Sequence, residues 1–204
     1  MTDAGPASVR GTRELFDLTG RRAVVTGGAG LLGRRFASAL VDLGGGVLRT
    51  QVHHIDHLDW IFGPLERVYA AGGHRTDLEI DVEDSVTFLF RSAGGTPVQG
   101  HLDYRQRPKV VSLLVVGTEA RVGWDHYGGR LVVTPTAAGA EPQVHSWPYD
   151  RDAMFTAQMR DVVRAVRAGS PLRTPLRDGV RAVRLVEAIE ASMASDQAVT
   201  VAGT

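Results

Sequence analysis

Cysteine is absent from the chain, which excludes disulfides, thiolate zinc sites and a cysteine nucleophile. Lysine is nearly absent too. Among the 23 Lys and Arg residues, Lys109 alone is lysine, so a mechanism that needs a catalytic lysine must use that position or none. No charge sign dominates: Lys+Arg and Asp+Glu each number 23. The chain therefore has no overall field to draw nucleic acid or an anionic membrane, and neither is expected as a partner. No apolar run approaches the roughly 20 residues needed to span a bilayer, and the opening MTDAGPASVRGTREL lacks an apolar signal core. A cytoplasmic protein is the expectation. What is present is ordinary globular composition, 43% hydrophobic and 23% charged over 204 residues, enough for a sizeable core.

Residues 1–14 read as a flexible leader of Gly, Pro, Ser and Thr without periodicity. RRAVVTGG is a short apolar strand stopped by glycines, and LLGRRFASALVDL places Leu32, Phe36 and Leu40 on one helical stripe. HHIDHLDWIFG predicts a helix with Ile55, Leu58 and Phe62 on one side and Gly63-Pro64 as its stop. Six strand-like runs follow: RVYAAG, DSVTFLFRS, PVQGHLDYR, KVVSLLVVG, ARVGWDH and RLVVTPT. Connections such as residues 93–96 and 117–119 have hairpin length, which predicts mostly antiparallel pairing. Two helices close the pattern. DAMFTAQMRDVVRAVRAG carries the stripe Phe155, Met159, Val162, Val163 and Val166, with Gly169 as its stop. RDGVRAVRLVEAIEASM has Asp178 as N-cap and Ala182, Leu185, Val186, Ile189 and Met193 facing the core. Strands followed by helices predict an α+β fold, an open and mostly antiparallel sheet with helices on one face. An N-terminal β-α Rossmann-like fragment precedes it.

Thr26-Gly27-Gly28-Ala29-Gly30-Leu31-Leu32-Gly33 follows a strand and opens a helix, where glycines let backbone approach a pyrophosphate on the helix N-terminus. Over about residues 15–43 this resembles the first β-α unit of a short-chain dehydrogenase/reductase, with Gly27, Gly30 and Gly33 on the T-G-x-x-G-x-x-G spacing. The resemblance implies NAD or NADP held at those glycines. The rest of that family's equipment is missing: no strand ending in an acid follows. Its Tyr-x-x-x-Lys pair would need a tyrosine at 105, which is Arg105.

From Gly44 the chain GGGVLRTQVHHIDHLDWIFG resembles the Gfo/Idh/MocA oxidoreductases, whose glycine-rich start leads into a histidine-bearing helix. The likeness continues through DLEIDVEDSVTFLFRSAGGT, HLDYRQRP and VVGTEARVGWD to the paired C-terminal helices, about residues 44–195, leaving 196–204 as a tail. It implies that family's C-terminal substrate domain, whose free sheet face commonly forms a homo-oligomer interface. A preceding Rossmann domain supplies NAD(P) in full-length members. It also implies that His54 takes or gives a proton as hydride moves at a hydroxyl-bearing carbon of a sugar, cyclitol or other polyol. Thr50 stands where many members carry an acid that orients this histidine. Lys109 does not stand in the family's Glu-Lys-Pro context.

His53 and His57 share a helix face at i, i+4, as metal ligands can, but Asp56 points about 100° away and no metal is assigned. Asp81, Glu83 and Asp84 read as turn-capping or solvated acids. Tyr104, Arg105 and Arg107 could meet an anionic substrate, against a solvated edge strand. Trp124 and Trp147 suit a core or an interface. The resulting expectation is an NAD(P)-dependent dehydrogenase by descent, incomplete as a single chain. The alternatives are a non-catalytic ligand-binding or oligomerisation module and a chimera without function.

Overall fold

The computed structural model describes residues 45–202. They fall into two compact units, residues 45–102 with 176–202, and residues 103–175.

In the first unit, helices α1 (Val47–Thr50) and α2 (Val52–Phe62) precede strands β1 (Leu65–Gly73), β2 (Ser85–Ser92) and β3 (Pro97–Asp103). Strand β3 ends at the boundary between the units. The long helix α4 (Leu176–Ser195) and the short strand β8 (Val199–Thr200) complete this unit. The sheet order is β3-β2-β1-β8, with β1 antiparallel to β2 in the register Val68↔Phe90 and Ala70↔Phe88. Period-two alternation drives it. Val86, Phe88, Phe90 and Ser92 of β2 are buried while Thr87, Leu89 and Arg91 face out, as a sheet covered on one side requires. Phe88 and Phe90 pack edge to face, centroids 5.5 Å apart. The cover is α4, whose Ala182, Leu185, Val186, Ala188 and Ile189 are buried, following the helical stripe read from the sequence. Strand β8 pairs with only Arg67 and Val68 of β1, leaving the Ala70 N–H beyond its reach. Buried Ser192 accepts that N–H at 3.0 Å and donates to the Gln197 carbonyl at 2.6 Å.

In the second unit, β4 (Ser112–Val116), β5 (Ala120–Asp125), β6 (Arg130–Pro135) and β7 (Gln143–Ser146) form an antiparallel meander in chain order, followed by helix α3 (Arg151–Ala168). Asp150 caps α3 by accepting the Ala153 N–H at 3.0 Å, and Gly169 ends it in the left-handed region, φ 59°, where glycine carries no Cβ penalty. His126, Tyr127 and Tyr149 pack in T-shaped contacts of 5.0–5.4 Å beside Trp124.

Several expectations are corrected. The strands make two four-stranded sheets, not one. Between β3 and β4 the chain turns on Asp103, which accepts the Gln106 N–H at 2.7 Å, and passes Pro108, which has no N–H for a ladder. The stripe expected to bury α3 does not. Ala165 is buried, while Met159 and Val166 are 58% and 77% exposed. Asp178 is not an N-cap, because α4 begins two residues earlier and places it in the first turn. Strands β7 and β8 and helix α1 were not foreseen. Every residue of β7 is exposed, so no alternation marked it, and α1 lies in the glycine-rich start read only as leading into the histidine helix.

Candidate functional site

The histidines lie on α2. Val52 and Ile55 are buried and set the inward face; His53 and His54 are half-buried and His57 is exposed. Their rings cluster, with centroids 4.1 Å apart for His53–His54, 6.2 Å for His54–His57 and 6.3 Å for His53–His57. Asp56, half-buried beside them, has its carboxyl pushed above the usual range. Burial is the main cause, Asp178 and Asp59 push the same way, and His57 opposes. Among the described residues no group of three or more histidines and acids is arranged to hold a metal ion.

Two ion pairs and one acid fix these helices. Arg181 of α4 grips Asp59 of α2 with both arms, Nε to Oδ2 at 2.6 Å and Nη2 to Oδ1 at 2.8 Å, and also donates to the Leu65 carbonyl at 3.1 Å. Asp59 Oδ1 in turn accepts the Leu65 N–H at 2.9 Å, so one node joins α2, β1 and α4. Arg49 of α1 makes a second fork to Glu190 of α4, both bonds 2.8 Å. Thr50, where the resemblance has an acid, donates its hydroxyl to the Gly46 carbonyl at 3.1 Å. Glu83 holds the first turn of α1: its carbonyl accepts the Val47 N–H at 2.9 Å and its carboxylate the Leu48 N–H at 3.1 Å. Burial pushes the Glu83 carboxyl up, with the bond from Leu48 opposing and Glu190 adding.

Asp84 is wholly buried and organises the β1–β2 loop. It accepts the Arg75 N–H at 2.8 Å, the Thr76 N–H at 3.1 Å and the Thr76 hydroxyl at 2.6 Å, with His74 Nδ1 at 3.0 Å. Burial alone would raise its pKa. Those hydrogen bonds and His74 outweigh it and hold the carboxyl below the usual range. Asp84 thus caps the turn as expected, but from inside rather than solvated; Asp81 is exposed.

Gly27, Gly30 and Gly33 lie outside the described residues. The described ones do not themselves form a dinucleotide cradle. Their sheets are antiparallel, and the glycine-started helix within them, α1, has its first two N–H groups taken by Glu83, an acid that would repel a pyrophosphate. Tyr104, Arg105, Arg107 and exposed Lys109 belong to the second unit. There Arg107 donates to the carbonyls of Tyr104 and Gln106. Trp124 is half-buried against His126, and Trp147 is exposed. A groove of about 630 Å3 runs along α3, lined by Met159, Arg160, Val163 and Arg167 among others. It too lies in the second unit, and no histidine or acid lines it.

Sequence reasoning missed Arg181 and Arg49, and read Glu83 as a turn-capping or solvated acid without its part in holding α1. Arg181 and Arg49 act across 122 and 141 residues of chain, beyond any local pattern. Glu83 acts on α1 from 35 residues away, and with α1 itself unread in the sequence nothing local pointed to it.

Residues 24–123 match the family described as the GFO/IDH/MocA C-terminal domain. The match begins at Val24 and so takes in the glycine turn, and it supports the reading of such a domain in this chain. Comparison with curated proteins returns no match. Solved structures share the fold. A levoglucosan dehydrogenase in complex with NADH superposes with TM-score 0.70 and 18% identity, covering 79% of this chain and 51% of its own. WlbA dehydrogenase of Bordetella pertussis, with NADH and UDP-GlcNAcA, gives 0.64 and 20%, over 78% and 49%. An Agrobacterium radiobacter oxidoreductase with NAD+, L-tartaric acid and magnesium gives 0.59 and 23%, over 74% and 47%. The chain therefore spans about half the length of these structures. Among the described residues no helix is long and apolar enough to cross a membrane.

Proposed function

We propose that the chain, chiefly residues 44–195, is the substrate half of a nicotinamide-dependent dehydrogenase of sugars, cyclitols or related polyols, incomplete as a single chain. The observation that carries this reading is the family match over residues 24–123 coinciding with a clamped helix that presents His54 within it. The hydroxyl-rich ligands of the solved neighbours point the same way, and their NADH and NAD+ point to NAD or NADP here.

In this reading His54 takes the proton of the reacting hydroxyl and returns it in the reverse direction. Imidazole suits this because it changes charge near neutral pH. The Arg181 fork holds this helix, and the Arg49 fork holds α1 just before it, so that the ring keeps its place. The nicotinamide, when bound, supplies hydride acceptance. Residues outside 45–202, Gly27, Gly30 and Gly33 first among them, or a partner chain would hold it. Exposed Leu114 and Val116 on β4 give the second unit's sheet an apolar face for a homo-oligomer.

The test is titration with NADH and NADPH by calorimetry, then a polyol panel with NAD(P) followed by nicotinamide absorbance, in wild type and His54→Ala. Cofactor binding by the chain alone would show that residues outside 45–202 complete the nucleotide site; wherever turnover is obtained, alone or with a completing partner chain, His54→Ala should lower it by roughly 100-fold or more. Turnover indifferent to His54→Ala would remove the histidine from the chemistry. Polyol-dependent stabilisation without any turnover would instead make the chain a binding module.

A further inference from the structure

Gly46 has an ordinary φ of −79°, so its backbone makes no demand for glycine. Its demand is spatial. A Cβ built there would lie 1.9–2.0 Å from the three carboxylate atoms of Glu83. That is the far end of a flexible side chain, so an alanine at 46 would not break the backbone; it would evict the carboxylate. The evicted group is the one that accepts the Leu48 N–H. Glu83 is also not free to follow. Its neighbour Asp84 is locked in the loop core, and the Asp84 N–H donates to the Gly73 carbonyl at 3.1 Å, while the Glu83 carbonyl already holds the Val47 N–H. The first turn of α1 has no acid of its own and Gly46 gives no side-chain cap. Val47 and Leu48 are fully buried, so their amide groups have no water to turn to.

We infer that Gly46 and Glu83 act as one positioning device for the histidine helix: the missing side chain at 46 is the seat in which the Glu83 carboxylate caps α1 and sets the position of His54 four residues beyond Thr50. Glu83 is a positioning residue and touches no substrate. The inference rests on the reading of His54 as the proton-transfer group. What Glu83 supplies is an acceptor oxygen at the right place, not a charge. Glutamine at 83 should therefore do the same work, and alanine at 46 should mimic alanine at 83.

The experiment is a double-mutant cycle on the full chain: Gly46→Ala, Glu83→Ala, the pair together, and Glu83→Gln. The first readout is the urea midpoint. The second is the position and pH titration of the His54 Cε1–H NMR signal, assigned with His54→Gln. Each alanine variant should lower the folding equilibrium about tenfold, since each leaves the same buried amide without an acceptor. The double variant should lower it no further than either single one. The His54 signal should move alike in all three and stay at its wild-type place in Glu83→Gln. Additive losses in the double variant would overturn the shared seat. A His54 signal unmoved by Gly46→Ala and Glu83→Ala would overturn the positioning role even with stability lost. Failure of Glu83→Gln to restore the signal would overturn the acceptor role. None of these readouts depends on turnover, so a His54 without catalytic function leaves the cycle interpretable.

Discussion

Removing Arg181 is the most informative single perturbation of this fold. Its guanidinium makes two bonds to Asp59 and one to the Leu65 carbonyl, and the two side chains are only 17% and 16% exposed. Arg181→Met keeps the apolar stem and takes away all three bonds, leaving Asp59 with the Leu65 N–H alone among its bonds at this node. Stranding one charge of a fully buried pair costs about 3–5 kcal/mol. The residual solvent access here scales that to about 2–4 kcal/mol. Arg181→Lys keeps a charge but loses the planar fork, which should cost about 1–2 kcal/mol. Urea denaturation followed by far-UV circular dichroism reads both losses from the midpoint, provided the slope is unchanged. Asp59→Asn combined with Arg181→Met should recover part of the sum, because the buried charge goes with its partner. Faster hydrogen exchange at the Leu65 amide should accompany the loss. A cost for Arg181→Met below about 0.5 kcal/mol would show that the node is a surface pair in effect and that α2 is held by burial alone.

The two perturbed loop acids have opposite pH signatures. Asp84 is held below its usual pKa, so its contribution is complete above the ordinary aspartate range. It is lost as pH falls through the lower native value, and Asp84→Asn should flatten the acid limb of a stability–pH profile. Glu83 is raised, so its contribution is present below the ordinary glutamate range and is lost as pH rises through the native value. Glu83→Gln should remove that decline in the same profile. Ser192→Ala strands the buried Ala70 N–H and should cost about 1–3 kcal/mol by the urea midpoint. On β4, Val116 is 76% exposed; Val116→Glu should change monomer stability by less than about 0.5 kcal/mol yet shift sedimentation to a smaller species, and unchanged sedimentation would discard that face as an interface.

Elements whose residues alternate or repeat on one face were readable. The pattern of Val86, Phe88 and Phe90, and the stripe of Ala182, Leu185, Val186 and Ile189, follow from burial on one side. Strand β7 was not readable because its order comes from pairing with β6 and not from its own side chains. The α3 stripe misled for the converse reason: periodicity reports that a face is apolar, not that anything covers it. At the site, the sequence pointed to the α2 histidines and to His54. It could not point to the residues that hold that helix and α1 before it, since the partners of Asp59, Arg49 and Leu48 lie 122, 141 and 35 positions away.

The first unit is assembled from two stretches of chain, residues 45–102 and 176–202, with the whole second unit strung between them. During vectorial synthesis β1 and β2 leave the ribosome long before α4, the helix that packs on β1 and supplies Arg181, Glu190 and Ser192. Until then β1 lacks the helix that packs on it, the histidine helix lacks the Arg181 fork, and α1 lacks the fork to Glu190. The second unit is complete sooner, although it comes later in the gene. The half of the molecule that bears the candidate site is therefore the last to close, and a chain truncated before residue 176 would carry His54 without the helix that holds it in place.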